Sequence, residues 1–385
     1  MSKWARGIGI ATLGLAVFTS LIGCAYLQQP QFGALPGGTR LQAIERSPHY
    51  VDGEFRNVID TPMRTQDSSF ASNLMLMLFD RNPKLRPSAP LPFTQVDFTT
   101  LSPNEDVVVW LGHSSYYVQL NGKRILIDPV FSTNASPLPL TNVAFPGTSP
   151  YTADDMPPID VLLVTHDHWD HLDYDSARAL LPKVSHVVVG LGVGEFFAQW
   201  GYPAERVHEA DWNEVLDLVP GLRIHVLSAR HYSGRMLTRN KTLWVAFALE
   251  SPQRRLFFSG DSGYGPHFRE IGERFGGFDL VALDMGQYDK RWANIHMTPE
   301  EAAVAAVELR TRTLVPAHVG RFSIARHAWD EPFERITTAS GGKSYRLSTP
   351  RIGEPLDLRG EGQQLSRWWV GADPIASSVN LDRTP

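Results

Sequence analysis

Short apolar runs, each closed by glycine or a polar residue, recur through the middle of the chain. Val107–Leu111 reads as a buried strand. The runs 115–120 and 123–128 flank Asn121-Gly122, a pair that favours a two-residue hairpin because both turn positions need positive φ. Further strand-like runs lie at 161–165, 186–190, 223–228, 243–249, 255–259, 278–284 and 313–317. Helical spacing appears at 173–181, 195–200 and 298–309. The last begins with Thr298 as N-cap, Pro299 at the first helical position and Glu301 three residues beyond the cap. Hairpins followed by strands interleaved with helices predict a mixed α/β sandwich.

The ends of the chain read differently. Lys3 and Arg6 precede an apolar run from Ile8 to Ile22, then Gly23 and Cys24, which is a signal-peptide layout; a retained single membrane anchor is the alternative. From 25 to 103 the pattern is irregular and rich in proline and glycine. It contains one helical candidate, in which Phe70, Leu74, Met75, Leu78 and Phe79 form an apolar stripe expected to face a core. After Gly360 the only marked feature is Trp368-Trp369, expected to pack on the domain.

Composition narrows the function classes. The 385-residue chain has a formal charge of −5, and cleavage before Cys24 would remove two basic residues and leave −7. No basic surface for nucleic acid is expected. Cys24 is the only cysteine, so any metal site must be built from histidines and carboxylates. No stretch beyond the N-terminal run is long and apolar enough to span a bilayer, which predicts a soluble, tethered remainder.

VTHDHWDHLDY, residues 164–174, places three histidines and three aspartates directly after an apolar strand. His166 and His168 are two apart and can point the same way; Asp170 and His171 follow as the chain turns. A single histidine there would be unremarkable. Grouping so many hydrophilic side chains at a strand end costs stability unless a cation organises them. His231, Asp261 and His318 each follow a later apolar strand, where sites converge in α/β folds.

The H-x-H-x-D-H pattern, with later single His, Asp and His residues, resembles the metallo-β-lactamase superfamily. The stretches 110–132, 159–174, 257–292, 296–302 and 317–322 resemble its branch containing N-acyl-phosphatidylethanolamine-hydrolysing phospholipase D. The resemblance implies an αββα sandwich with an N-terminal extension. It implies one metal on His166, His168 and His231, and a second on Asp170, His171 and His318, with Asp261 bridging. Two divalent ions, Zn²⁺ before Fe or Mn, would activate a water for hydrolysis. Asp170 would thus serve catalysis directly. Asp128 is expected to support a metal-bound histidine or to shape a turn before Pro129. His296 is expected to contact substrate phosphate, to transfer a proton or to be structural.

Several neighbours carry two readings. His113 lies near the site or is held by backbone. Asp167 and Asp173 are supporting or helix-capping. Lys290, Arg291 and Arg321 neutralise a substrate phosphate or are solvated surface charges. Cys24, in Leu21-Ile22-Gly23-Cys24, resembles a bacterial lipobox, which implies acylation and a periplasmic position, with Ala25 after it favouring the outer membrane.

The expected organisation is a signal peptide at 1–23, an extension at 24–103, a hydrolase domain at 104–345 and a C-terminal extension at 346–385. The expected function is a membrane-tethered metal-dependent phosphodiesterase acting on N-acyl phosphatidylethanolamine or a related phospholipid. The alternatives are a lactonase acting on a phosphorylated sugar lactone and a non-catalytic envelope lipoprotein. A nuclease is disfavoured by the acidic charge.

Overall fold

The computed structural model describes residues 18–65, 82–138, 140–235, 238–360 and 367–371. The Phe70–Phe79 stripe lies outside the described residues. A small hairpin, β1 (Tyr50–Val51) and β2 (Glu54–Phe55), precedes two seven-stranded sheets. The first sheet contains β3 (Val107–Gly112), β4 (Ser115–Leu120), β5 (Lys123–Ile127), β6 (Ile159–Val164), β7 (Val184–Gly190) and β8 (Val207–Ala210). The second contains β9 (Val215–Val219), β10 (Leu222–Leu227), β11 (Ala246–Glu250), β12 (Arg255–Phe258), β13 (Leu280–Asp284) and β14 (Thr313–Ala317). Late in the chain, β15 (Arg346–Leu347) adds to the edge of the second sheet beside β14, and β16 (Pro355–Asp357) to the first beside β3.

Beyond the helical residues 18–27, six α-helices accompany them: α1 (Gly38–Ile44), α2 (Tyr174–Leu180), α3 (Gly194–Gln199), α4 (His267–Phe275), α5 (Pro299–Glu308) and α6 (Glu331–Ala339). The central strands are buried along their whole length, as expected for strands covered on both faces. One continuous apolar core joins the sheets, with Tyr116 of β4 and Phe258 of β12 in ring contact across it at 5.2 Å. The predicted α/β sandwich is the observed architecture.

Most predicted elements are present. Asn121 and Gly122 have φ of 51° and 73°, as the β4–β5 hairpin requires. Thr298 and Glu301 form a reciprocal capping box at α5. The apolar run at 243–249 becomes a strand only from Ala246. Before that, Leu243 N–H donates to Leu191 O and Val245 N–H to Thr165 O, so this stretch is bound to loops of the opposite sheet. Strands β8 and β9 escaped prediction because they are partly exposed and carry charged residues. Helix α4 escaped it too, although Phe268, Ile271 and Phe275 make a buried stripe and Gly276 closes the helix in a left-handed conformation.

Strand direction determines where the site is built. β5 and β6 are parallel, and β3 shares their direction because two antiparallel pairings separate it from β5. In the other sheet β12, β13 and β14 are parallel, and β10 shares their direction through β11. The C-terminal ends of these strands therefore meet along one edge of the sandwich.

Trp368 and Trp369 are buried against Phe333 of α6, and Trp368 also reaches Trp110 of β3. At the other end of the chain, residues 18–27 are helical and expose Phe18, Leu21 and Ile22. No helix among the described residues is long and apolar enough to cross a membrane. Loss of the α5 cap in Thr298→Ala should lower unfolding free energy by about 1 kcal/mol, read from the midpoint of a urea transition.

Candidate metal centre

At the shared strand edge, His113 follows β3, Asp128 follows β5 and His166–His171 follow β6. His231 follows β10, Asp261 follows β12, Asp284 ends β13 and His318 follows β14. All are buried except His168, which is partly exposed. His113, Asp128 and His318 have φ of 56°, 43° and 59°, values that non-glycine residues adopt rarely and that cluster at functional sites. Two glycines allow the close approach. A Cβ on Gly286 would stand 1.8 Å from His318 O, and one on Gly260 would press on Thr165 at 2.8 Å.

His166 Nε2, His168 Nδ1, His231 Nε2 and Asp261 Oδ2 converge on one point. His166 Nε2 and His231 Nε2 lie 2.9 and 3.3 Å from His168 Nδ1, and 3.7 and 3.6 Å from Asp261 Oδ2. A second group gathers Asp170, His171, His318 and His113. His318 Nε2 is 3.1 Å from Asp170 Oδ2 and 3.3 Å from Asp261 Oδ2, while His171 Nε2 is 3.1 Å from Asp261 Oδ1. Asp261 thus stands between the two groups, with Oδ2 near histidines of both and Oδ1 toward His171.

The donor set fits divalent ions. Ligand atoms placed tetrahedrally around zinc at 2.0–2.1 Å are roughly 3.3 Å apart, the spacing these atoms show. His171 Nε2 and Asp261 Oδ1 are buried and face each other at 3.1 Å without hydrogen-bond geometry. Each is a lone-pair site that a cation would satisfy.

Partners behind the imidazoles fix which nitrogen faces the cluster. His231 Nδ1–H donates to Ile295 O at 3.0 Å, leaving Nε2 as a lone pair. His171 Nδ1 lies 2.7 Å from Asp128 Oδ2, and Asp128 also accepts from Thr165 N–H and Oγ1–H. Asp284 takes both Nδ1 groups of His318 and His296, at 3.1 and 2.7 Å. Such carboxylate–histidine pairs orient the ring and raise its basicity.

Electrostatics separate the imidazoles into two kinds. Burial, then the neighbouring imidazoles, drives His166 well below the usual histidine range, and burial does the same to His231 against the pull of Asp261. Their nitrogens are therefore neutral lone pairs. Burial opposes charge on Asp170 and Asp261 as well, yet His171 and the other surrounding histidines hold both carboxyls well below their usual range. Burial lowers His171 and His318 too, but the surrounding carboxylates, Asp261 first, outweigh it and hold both rings above the usual histidine range, so a dication binding there would displace a proton from each.

The remaining expected residues fall into place around this cluster. His296 lies with its ring 5.0 Å from that of His231 and 4.9 Å from that of His318. His113 serves both readings: Nε2 meets Asp170 Oδ2 at 2.9 Å, while its carbonyl accepts from Trp110 Nε1–H and His318 N–H. Asp167 accepts from Gly234 N–H and Thr242 Oγ1–H, and Asp173 caps α2 through Ser176 N–H. Arg321 answers neither expectation. It is 2% exposed and donates to Val130 O, Ser132 O and Ser149 Oγ, so it ties loops together and meets neither substrate nor solvent.

A family model described as a beta-lactamase superfamily domain matches residues 123–319. An uncharacterized protein of Mycobacterium tuberculosis is 35% identical over 373 residues, 96% of this chain and 100% of that protein. The chain belongs to the metallo-β-lactamase superfamily. The N-acyl-phosphatidylethanolamine-hydrolyzing phospholipase D 1 of Caenorhabditis elegans is 33% identical over 229 residues, 55% of this chain and 63% of that protein. Outer membrane protein RomA of Klebsiella pneumoniae is 55% identical over 100 residues, 26% of this chain and 76% of that protein. Within the superfamily, the chain is a metal-dependent hydrolase of the phospholipase D-like branch.

Sequence reasoning missed Asp284. It closes an ordinary apolar strand, and only the fold brings two histidine Nδ1 groups onto it. One signal was present: Asp284 ends its strand as Asp128 follows its own, with a site histidine later in the chain. Asp284→Asn should weaken retention of the superfamily's divalent ions about 10- to 100-fold. Metal content after dialysis against graded chelator checks this, with an unchanged far-UV CD spectrum establishing the fold.

Proposed function

We propose that this protein is a phosphodiesterase that hydrolyses N-acyl phosphatidylethanolamine or a related phospholipid at a pair of divalent ions, most readily Zn²⁺. His166, His168 and His231 would hold one ion; Asp170, His171 and His318 the other; Asp261 would bridge. When bound, such ions lower the pKa of a water and offset negative charge developing on a phosphate. The observation that carries the reading is the cluster itself, set in a chain of the phospholipase D-like branch.

The protein's own groups supply orientation. Asp128 holds His171, and Asp284 holds His318 and His296. With Nδ1 engaged by Asp284, His296 has Nε2 for a phosphate oxygen. His296 also lines a cavity of about 530 Å³ beside the cluster. Lys290, Arg291, Arg326 and Arg335 line the same cavity with only Asp289 and Glu331 as carboxylates, so its charge favours an anionic substrate. Lys290 and Arg291, expected at a phosphate or on the surface, are at this cavity, with Arg291 paired to Asp289 at 2.6 Å.

Basic lining suits a phosphorylated sugar lactone as well as a phospholipid, and a lactonase is the second reading. The similarity to a phospholipase D favours the phospholipid. A screen of N-acyl phosphatidylethanolamine, phosphatidylethanolamine, bis-p-nitrophenyl phosphate and sugar-phosphate lactones on metal-loaded protein should show preference for the N-acylated lipid. Chelation and His168→Ala should each abolish that turnover. Preferential lactone opening would replace the reading, and full activity without metal would end the proposed chemistry.

We further propose that the N-terminal run is a lipoprotein signal and that acylated Cys24 tethers the enzyme to the periplasmic face of the envelope, toward the outer membrane. Cys24 is exposed in the described structure, and the similarity to an outer membrane protein supports an envelope position. Cys24→Ser should move the protein from the membrane to the soluble fraction in cell fractionation.

A further inference from the structure

The loop carrying four of the candidate ligands is held by a residue from outside it. Arg235 lies four positions beyond His231 and is 6% exposed. Its Nη1 donates to Asp167 O at 2.8 Å and to Leu172 O at 2.7 Å, the two carbonyls that bracket His168, Asp170 and His171. The guanidinium lies over the Trp169 ring at 3.9 Å, and Trp169 Nε1–H donates back to Arg235 O at 3.1 Å. One planar fork therefore fixes both ends of the ligand loop and the indole at its tip.

The other side of the same guanidinium reaches the N-terminal segment. Nε and Nη2 both donate to Gln31 O, at 3.2 and 2.9 Å. Phe32 packs edge-on against Trp169 at 5.3 Å, Tyr26 against Phe32 at 5.4 Å, and Trp200 Nε1–H donates to Pro30 O at 2.8 Å. Gly33 is required beneath, because a Cβ there would meet the Phe196 ring at 2.0 Å. Every acceptor that Arg235 uses is a neutral carbonyl, so its Nε and both Nη nitrogens are engaged without a carboxylate neutralising it. A lysine would supply the charge but could not bridge three carbonyls in one plane.

We propose that Arg235 is a positioning residue for the metal centre, and that the segment 26–33, just after Cys24, completes its hold on the ligand loop. This rests on the reading of the cluster as a metal centre. The chain directly behind the tether is thereby part of what keeps the ligands in register. Removing the fork frees the carbonyls of Asp167 and Leu172 and lets the loop sample arrangements in which His168 and Asp170 no longer converge.

The test uses the full mature chain loaded with Zn²⁺ and measures release of the metal to excess chelator by a colorimetric indicator. Wild type, Arg235→Lys, Arg235→Gln and Phe32→Ala are compared, with melting temperatures of the metal-free and metal-loaded forms. Arg235→Lys and Arg235→Gln should release metal about 10- to 100-fold faster, with Phe32→Ala between them and wild type. The melting temperature of metal-free protein should change less than that of the loaded form. Should Arg235→Gln fail to fold, Arg235→Lys and Phe32→Ala decide. Release at the wild-type rate from these variants, or equal loss of melting temperature with and without metal, overturns the inference while leaving the metal centre intact. Absence of metal from wild type overturns both.

Discussion

Everything in this molecule is arranged around a concentration of ionisable groups largely withdrawn from solvent. Asp128, Asp170, Asp261 and Asp284 are buried together with His113, His166, His171, His231, His296 and His318. Burying one unpaired carboxylate is costly, and burying several side by side is feasible only if positive charge is distributed among them. His171 and His318, raised by the carboxylates around them, provide part of that charge, and the divalent ions of the proposed centre would supply the rest. The need to collect these groups without stranding any of them explains the left-handed conformations, the close glycines and the carboxylates placed behind the rings.

The two-sheet architecture serves this end because each sheet can deliver only a few side chains from its strand ends. The first sheet contributes the dense loop after β6, with Asp128 behind it. The second contributes single residues from β10, β12, β13 and β14. Neither set is complete, so the apolar packing between the sheets, including Tyr116 against Phe258, is also what keeps the two halves of the cluster in register. Segment 243–245 adds a direct link, since Val245 N–H bonds to Thr165 O immediately before His166.

Polar contacts become more exposed outward from the cluster. The rings at its centre bond to buried carboxylates, its loop to Arg235 and Trp169, and beside it the proposed substrate cavity carries ion pairs, such as Arg291 with Asp289, that are partly exposed. Ligand geometry tolerates little error, whereas a substrate pocket must admit and release its occupant. The distribution of buried and exposed polar contacts follows that difference.

Much of this was legible in the chain by itself. The apolar runs located the central strands because strands covered on both faces must be apolar throughout. Asn121-Gly122 and Thr298-Pro299 marked their turn and cap because those conformations demand particular residues. The dense H-x-H-x-D-H stretch pointed to a cation site because so many polar groups after a buried strand cost stability unless a cation organises them. Edge strands β8 and β9 were not legible, since half-exposed strands need little hydrophobic pattern. Asp284 and Arg235 were silent, and Arg321 gave no hint of its loop-tying contacts, for a different reason: their roles depend on partners 34, 68 and 191 positions away. Local sequence determines the conformations and chemistries a segment can offer. Which distant carbonyl or imidazole each buried charge meets is decided only when the sheets close on each other, because desolvation then removes every alternative partner.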